Sequence, residues 1–251
     1  LLAWGELRPF RFPTMFDSIE SGVSLQNDFS YNNNVAKANI YIRMGFIRKV
    51  YGLLSAQLII TLVIASIIAN FSEQVSKLVA ERPFVLTLVI AGNFISLFML
   101  LWKKRQVPIN LFLLFTFTIF ESTLIGLAVA HYSVNIVLQA LALTIVTFIS
   151  LTVYTFQTKK DFSSWGAGLF VFLFLLLSAG LLNFFLGSPL LDFAISVSGC
   201  VVFSLFIIYD TNAIMHRTSP EEYIIACVEL YTDIINLFIH LLRFLDAIRD
   251  K

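Results

Sequence analysis

The chain has 251 residues, of which 58% are hydrophobic and 13% charged, with 26 Phe and a formal charge of +1. Its mean hydropathy is +0.85. Soluble domains run about 45–50% apolar and about 25% charged, so a disordered chain, a nucleic-acid binder and a soluble enzyme all fit poorly, and no strong electrostatic partner is implied.

Residues 1–45 are polar and rich in Asn and Ser, with NDFSYNNN at 27–34, and read as a flexible tail ahead of a transmembrane domain over 46–251. Residues 1–14 precede the first Met, Met15, and read as an added segment or an upstream extension. A bilayer core needs about 20 mostly apolar residues per helix. Six runs satisfy that: Val50–Phe71, Pro83–Trp102, Ile109–Ala130, Asn135–Phe156, Ala167–Leu186 and Leu190–Asp210. A seventh, Glu221–Leu245, is long enough but carries charges. A closed barrel would need alternating strands of about ten residues, whereas runs such as FVFLFLLL at 170–177 are unbroken. The expected fold is all-α, a seven-transmembrane-helix bundle with short turns and antiparallel neighbours. No cleavable signal precedes the first span, which is expected to act as a signal anchor.

Lys/Arg bias sets the expected orientation. Arg43, Arg48 and Lys49 precede span one, Lys103, Lys104 and Arg105 follow span two, and Lys159 and Lys160 follow span four. The N-terminus is therefore expected in the cytosol. Seven crossings would put the C-terminus outside, yet Arg243, Arg249 and Lys251 favour the cytosol; the last segment either spans or re-enters. The sequon Asn70-Phe71-Ser72 lies close to the membrane at the far end of span one and carries little weight.

Charges at membrane depth cost about 2.5–3.5 kcal/mol each on insertion scales. Here they are Glu121, Asp210, and, in the last segment, Glu229, Asp233, His240 and Arg243. Glu229, Asp233, Asn236, His240 and Arg243 recur at spacings of 4, 3, 4 and 3, one stripe of a helix whose other faces are apolar. Such a helix is expected at the centre of the bundle, ringed by the other six; the competing reading is an amphipathic helix on the interface.

Asp210 and Asp233 lie on consecutive helices, so a hairpin can bring their carboxyls together. Two carboxylates in low dielectric share a proton, which gives a pH-responsive latch that on deprotonation attracts a hard cation such as Ca²⁺. Equally, each Asp can simply cap or hydrogen-bond a neighbouring helix. Glu121 lines the same cavity or is a protonated hydrogen-bonder. His240 suits a structural role better than a proton shuttle, Arg243 snorkels to headgroups, and Cys200 and Cys227 are small buried residues without a metal cluster.

The runs IIYDTNAIMHRTSPEEY (207–223) and ELYTDIINLFIHLLRFL (229–245) resemble the Bax inhibitor/lifeguard family of transmembrane Bax-inhibitor-motif proteins. IRMGFIRKVYGLLSAQL (42–58), VPINLFLLFTFT (107–118) and LTVYTFQTKKDFSSWGAGLF (151–170) are similar to its lifeguard-four or Golgi anti-apoptotic branch, so the likeness extends over Asn27–Lys251. The resemblance implies a bundle around a central last helix, a passive pH-sensitive Ca²⁺ leak from Golgi and endoplasmic reticulum, and suppression of apoptosis. It places the family's paired aspartates on Asp210 and Asp233, a basic latch on Lys103, where the family pattern has Arg, and further acids of the ion path on Glu121 and Glu221. Glu229 departs from the small polar residue of relatives and adds an acid to the seam. The expected partners are the lipid bilayer, Ca²⁺ as permeant ion, and apoptosis regulators or intracellular Ca²⁺ channels; no resident cofactor is expected.

Three other functions compete with the leak. An intramembrane aspartyl protease also needs two carboxyls sharing a proton, but its Gly-x-Gly-Asp turn is replaced by Leu230-Tyr231-Thr232-Asp233. A non-conducting interaction protein would regulate death signalling by binding. A proton-coupled antiporter would use the same carboxylates under a pH gradient.

Overall fold

A computed structural model describes residues 40–249 of the chain. The tail expected over residues 1–45 lies outside the described residues up to residue 39, and the first helix already begins at Ile40. Eight α-helices follow in order: α1 (Ile40–Asn70), α2 (Ser72–Glu81), α3 (Phe84–Trp102), α4 (Ile109–Val129), α5 (Val134–Gln157), α6 (Gly166–Leu186), α7 (Pro189–His216) and α8 (Tyr223–Arg249). Short 3₁₀ turns at Ser163–Trp165 and Pro220–Glu222 lead into α6 and α8. Among the described residues, seven helices are long and apolar enough to cross a membrane. Within hydrocarbon a helix satisfies its own backbone groups, so these apolar runs can take few other forms.

Local chemistry explains the turns. Gly187 ends α6 in the left-handed conformation (φ 59°), where its N–H reaches the Asn183 carbonyl at 2.7 Å. The Ser188 hydroxyl then accepts from the Leu191 N–H at 3.4 Å, and Pro189 opens α7 where its missing N–H costs nothing. The first connection is not the short turn expected. It holds α2, with none of its residues buried.

Two helix boundaries differ from the apolar runs in ways that matter for the site. α1 starts ten residues before Val50, because hydropathy marks the membrane and not the helix, and the turns carrying Arg43 and Arg48 continue into water. α7 runs nearly two turns beyond Asp210. Asp210 therefore sits inside the bundle and does not close the helix.

α8 is central, as expected: 67% of its most apolar window is buried, against 11% for α3 and for α6. It is ringed less completely than expected. It packs mainly on α7, α5 and α1, with a lesser contact on α4. α3 leans on α4 and α6 on α7, forming an outer layer that faces lipid. The core is built on Leu54, Leu100, Leu114, Ile207, Ile224, Leu230, Tyr231, Leu237 and Leu242. As a continuous helix of 27 residues, α8 extends about 40 Å, enough to cross the bilayer fully. Near its end Arg249 donates to Ser133 in the α4–α5 turn at 2.7 Å, so α8 finishes at the face of the bundle opposite the start of α1. This path fits a full crossing better than the re-entrant or the interfacial alternative.

Candidate functional site

The polar stripe of α8 faces α7 for most of its length. Asp233 (6% exposed) and Asp210 (8% exposed) lie at the α7–α8 contact. The two carboxyls are close enough for their charges to interact. Asp233 Oδ2 is buried with no hydrogen-bond partner. Seven residues along α8, His240 stacks on Phe203 of α7 (5.4 Å between ring centroids, 23° between planes). Its imidazole rests against Gly199, where a Cβ would collide with the ring. Its Nδ1 is buried without a hydrogen bond, so the hydrogen-bonding role expected of it is not seen at that nitrogen, and the ring is held by packing. Arg243 forms an ion pair with Asp192 in the first turn of α7, a definite partner in place of the expected snorkel to headgroups. Asn236 donates to the Thr232 carbonyl at 2.9 Å, within α8 itself.

Glu229 lies one turn before Asp233 and is exposed. Its charged neighbours are Asp210, Glu222, Lys104 and Arg217, which makes it the acid between the buried pair and the mouth of the bundle. At that mouth Glu222 accepts from Lys104 at 3.2 Å and from Arg105 at 3.4 Å, tying the α3–α4 turn to the head of α8. Asn110 reinforces the same corner by donating to the Lys104 carbonyl at 2.9 Å and to the Tyr223 hydroxyl at 3.1 Å. Lys49 lies over the Tyr223 ring, 3.3 Å from its centroid.

Other residues singled out from the sequence are not brought to this place. Lys103 stands 5.8 Å from the centroid of the Trp102 ring, and the cation whose charge reaches Asp210 is Arg217. Glu221 is exposed on the 3₁₀ turn; its neighbour Glu222 makes the ion pairs. Glu121 belongs to a separate cluster on the α4 side, where Asn93 of α3 donates to its carboxylate at 2.7 Å. Close by, Tyr231 and Thr61 share a hydrogen bond of 2.8 Å, and Ser122 donates to Thr61 at 3.0 Å. Tyr231 is two residues before Asp233 and so points to the opposite side of α8. That is why Glu121 does not share a cavity with the aspartate pair.

Sequence reasoning missed Asp192, Glu222 and Arg217. Asp192 is an acid three residues after a helix-opening Pro, and such residues read as dipole complements. Glu222 and Arg217 look like ordinary residues of a polar turn until the fold sets them over the seam. On α7 just after Asp210, the Thr211 hydroxyl, with those of Tyr51 and Thr152 beside it, and the whole amide of Asn212 are buried with no well-formed hydrogen bond. Buried polar groups of this kind normally find partners or ordered water, so this end of α7 is polar inside the bundle. By contrast, a groove along α5, α7 and α8 lined by Leu151, Cys200, Leu205, Ile208 and Leu237 is largely apolar.

The family described as Inhibitor of apoptosis-promoting Bax1 matches residues 43–251. Protein lifeguard 4 of Mus musculus is 43% identical over 91% of this chain and 95% of its own length. The Golgi anti-apoptotic protein of Vaccinia virus (strain Lister) is 40% identical over 93% of this chain and 98% of its own. Bax inhibitor 1 of Schizosaccharomyces pombe is 38% identical over 90% of this chain and 85% of its own. With its seven membrane-length helices, this chain belongs to the Bax inhibitor/lifeguard family of anti-apoptotic membrane proteins.

Proposed function

We propose that the protein is a passive, pH-sensitive cation leak of intracellular membranes, with Ca²⁺ as the permeant ion and the Asp210–Asp233 pair as its gate. The observation that carries this reading is the setting of two buried carboxyls against each other on adjacent helices. Two carboxylates hold together only by sharing a proton; without it, like charges repel in low dielectric and draw in a cation. In the closed state the shared proton joins α7 to α8. Deprotonation loosens that contact and opens a path along the seam, with Glu229 drawing the cation toward the pair.

Ca²⁺ prefers carboxylate oxygens. Among the described residues no group of three or more His, Cys, Asp and Glu is assembled to hold a metal. A site of two carboxylates holds the ion transiently, and transient holding is what conduction requires. Lys/Arg bias places the mouth carrying Lys104, Arg105 and Lys49 in the cytosol. The name of the Vaccinia relative supports a Golgi residence, and suppression of apoptosis would follow from a lowered Ca²⁺ store.

The test is Ca²⁺ flux into dye-loaded liposomes that contain only the purified protein, compared with empty liposomes between about pH 5.5 and 8, a range spanning neutral titration. An Asn amide donates to the opposite carboxylate much as the shared proton does. Asp233→Asn and Asp210→Asn are therefore expected to lower flux about tenfold, as for a loss of one pK unit of charge coupling, and to flatten its pH dependence. Flux above empty liposomes that neither variant alters would remove the aspartate gate. No flux from folded protein would replace the leak by a non-conducting role, binding apoptosis regulators or Ca²⁺ channels. Flux that requires a pH gradient would indicate an antiporter.

A further inference from the structure

We propose that Arg217 is an electrostatic plug at the mouth of the α7–α8 seam, held on a Tyr209 shelf and positioned to pair with Asp210 or Glu229 and so exclude the cation. This inference rests on the leak reading for its consequence, but its geometry stands independently.

Arg217 follows the last residue of α7 and lies seven residues, two turns, beyond Asp210, on the same face of that helix. Its guanidinium carbon is 4.5 Å from the centroid of the Tyr209 ring. Its Nη1 donates to the Tyr209 hydroxyl at 3.2 Å. Tyr209 is itself held under the start of α6, because its hydroxyl fills the space that a side chain at Gly166 would need. The shelf is thus fixed by packing from a third helix.

The rest of the guanidinium has no partner. Nε and Nη2 are both buried without a hydrogen bond, an arrangement that costs free energy unless acceptors come within reach in another arrangement of the site. Arg presents a rigid fork suited to bidentate pairing with carboxylate. Three carboxylates feel its charge, from three different elements: Asp210 on α7, Glu229 on α8 and Asp161 in the α5–α6 connection. None of them lies within ion-pair distance of it among the described residues. The remaining charged groups facing this corner are Lys104 and Glu222 beside Glu229, Asp233 beside Asp210, and Arg43 beside His216, with the Tyr51 hydroxyl on α1.

While the aspartate pair keeps its proton, the plug rests on Tyr209, with Glu229 and Asp161 beyond ion-pair distance. When the pair ionises, Arg217 and an incoming cation compete for the same oxygens. The plain alternative is that Arg217 only complements the C-terminal dipole of α7. That role would affect helix stability and leave cation affinity unchanged.

Two measurements on the full chain decide between these. Ca²⁺ binding to the detergent-solubilised protein is read by calorimetry, and Ca²⁺ flux by the liposome assay across pH. Arg217→Gln is expected to tighten Ca²⁺ binding and raise flux about tenfold, the scale of removing one nearby unit charge. Arg217→Lys, which keeps the charge, should stay near wild type in binding. Should Arg217→Gln fail to fold, Tyr209→Phe is used instead. It frees the guanidinium to reach the carboxylates, so weaker binding and lower flux are expected. Equal Ca²⁺ binding in wild type and variant, or equal absence of it, overturns the plug. An Asp233-dependent flux with no effect of the Arg217 or Tyr209 variant leaves the leak standing and the plug refuted. Tighter binding in Arg217→Gln without any flux refutes the leak and keeps the plug.

Discussion

Asp161 shows how much a single side chain can fix in a connection that apolar patterning leaves blank. It accepts the Ser163 backbone N–H at 2.8 Å and the Ser163 hydroxyl at 2.9 Å, which shapes the turn into α6. The backbone bond first, and then the hydroxyl, hold its carboxyl below the usual carboxylate range. A depressed folded-state value stabilises the fold above the unfolded value, about 3.9 for Asp, and that contribution is lost as pH falls through the depressed one. Wild type is therefore expected to melt slightly above Asp161→Asn at neutral pH, with the difference closing in acid. A difference that stays constant across a pH series of thermal melts in detergent would refute this account. The same residue-scale logic separates the intramembrane acids. Glu121 is engaged by Asn93, while Asp233 lies near another acid and its buried Oδ2 has no hydrogen-bond partner. Only the second arrangement can store a change of charge as a change of contact.

At the scale of elements, the α7–α8 pair is the mechanical unit. It is joined near one end by the Arg243–Asp192 ion pair, in the middle by His240 against Gly199 and Phe203, and near the other end by the aspartates. Gly199 is what allows the middle contact, since any Cβ there meets the imidazole. Gly199→Ala is expected to destabilise the protein by about 1–3 kcal/mol, the usual cost of overpacking, read as a lowered thermal midpoint in detergent. Adding His240→Ala should recover much of that loss, and a double variant no better than the single one would show that the contact is not the cause. The opposite side of α8 is fastened differently, through the Tyr231–Thr61–Ser122 hydroxyls to α1 and α4. Individual hydrogen bonds inside membranes contribute only about 0.6 kcal/mol on average. Their value here is to keep α8 seated on α1 and α4 while its other face works against α7.

For the whole molecule, the least apolar of the seven spans is the one at the centre, with a mean hydropathy of 1.6 against 1.9–2.5 for the others. A helix shielded from lipid by protein can carry acids that a lipid-facing one cannot. The outer helices α3 and α6 face the bilayer with Phe94, Phe98, Phe170, Phe174 and Leu177 exposed. Because α8 crosses completely and ends beside Ser133, the two ends of the described chain lie on opposite faces of the bundle. Tags at the N- and C-termini are expected to show opposite accessibility to protease in sealed vesicles, the N-terminal one cytosolic by the Lys/Arg bias. Equal accessibility of both tags would contradict this path for α8.

The number and rough limits of the spans, the helical class and the central place of the last helix were legible in the sequence. Hydropathy and a stripe of polar residues at helical spacing report directly on which surfaces can meet lipid. That Asp210 and Asp233 would lie on neighbouring helices was legible too, since the two segments are consecutive and antiparallel; a pairing of their carboxyls was only one of two readings open. The sequence could not show that Glu121 lies on the far side of α8, or that Lys104 and Arg105, not Lys103, reach an acid in the turn ahead of α8. Nor could it show that Glu222 and not Glu221 receives them. Each depends on the rotation of one helix about its axis relative to another, and a one-residue step there turns a side chain by about 100°. The partners of Arg217 and Arg243 depend likewise on where α7 begins and ends, and water-exposed helical turns carry no hydropathy signal of their length. Patterning thus determined which faces are buried, and tertiary packing alone decided which buried charges meet.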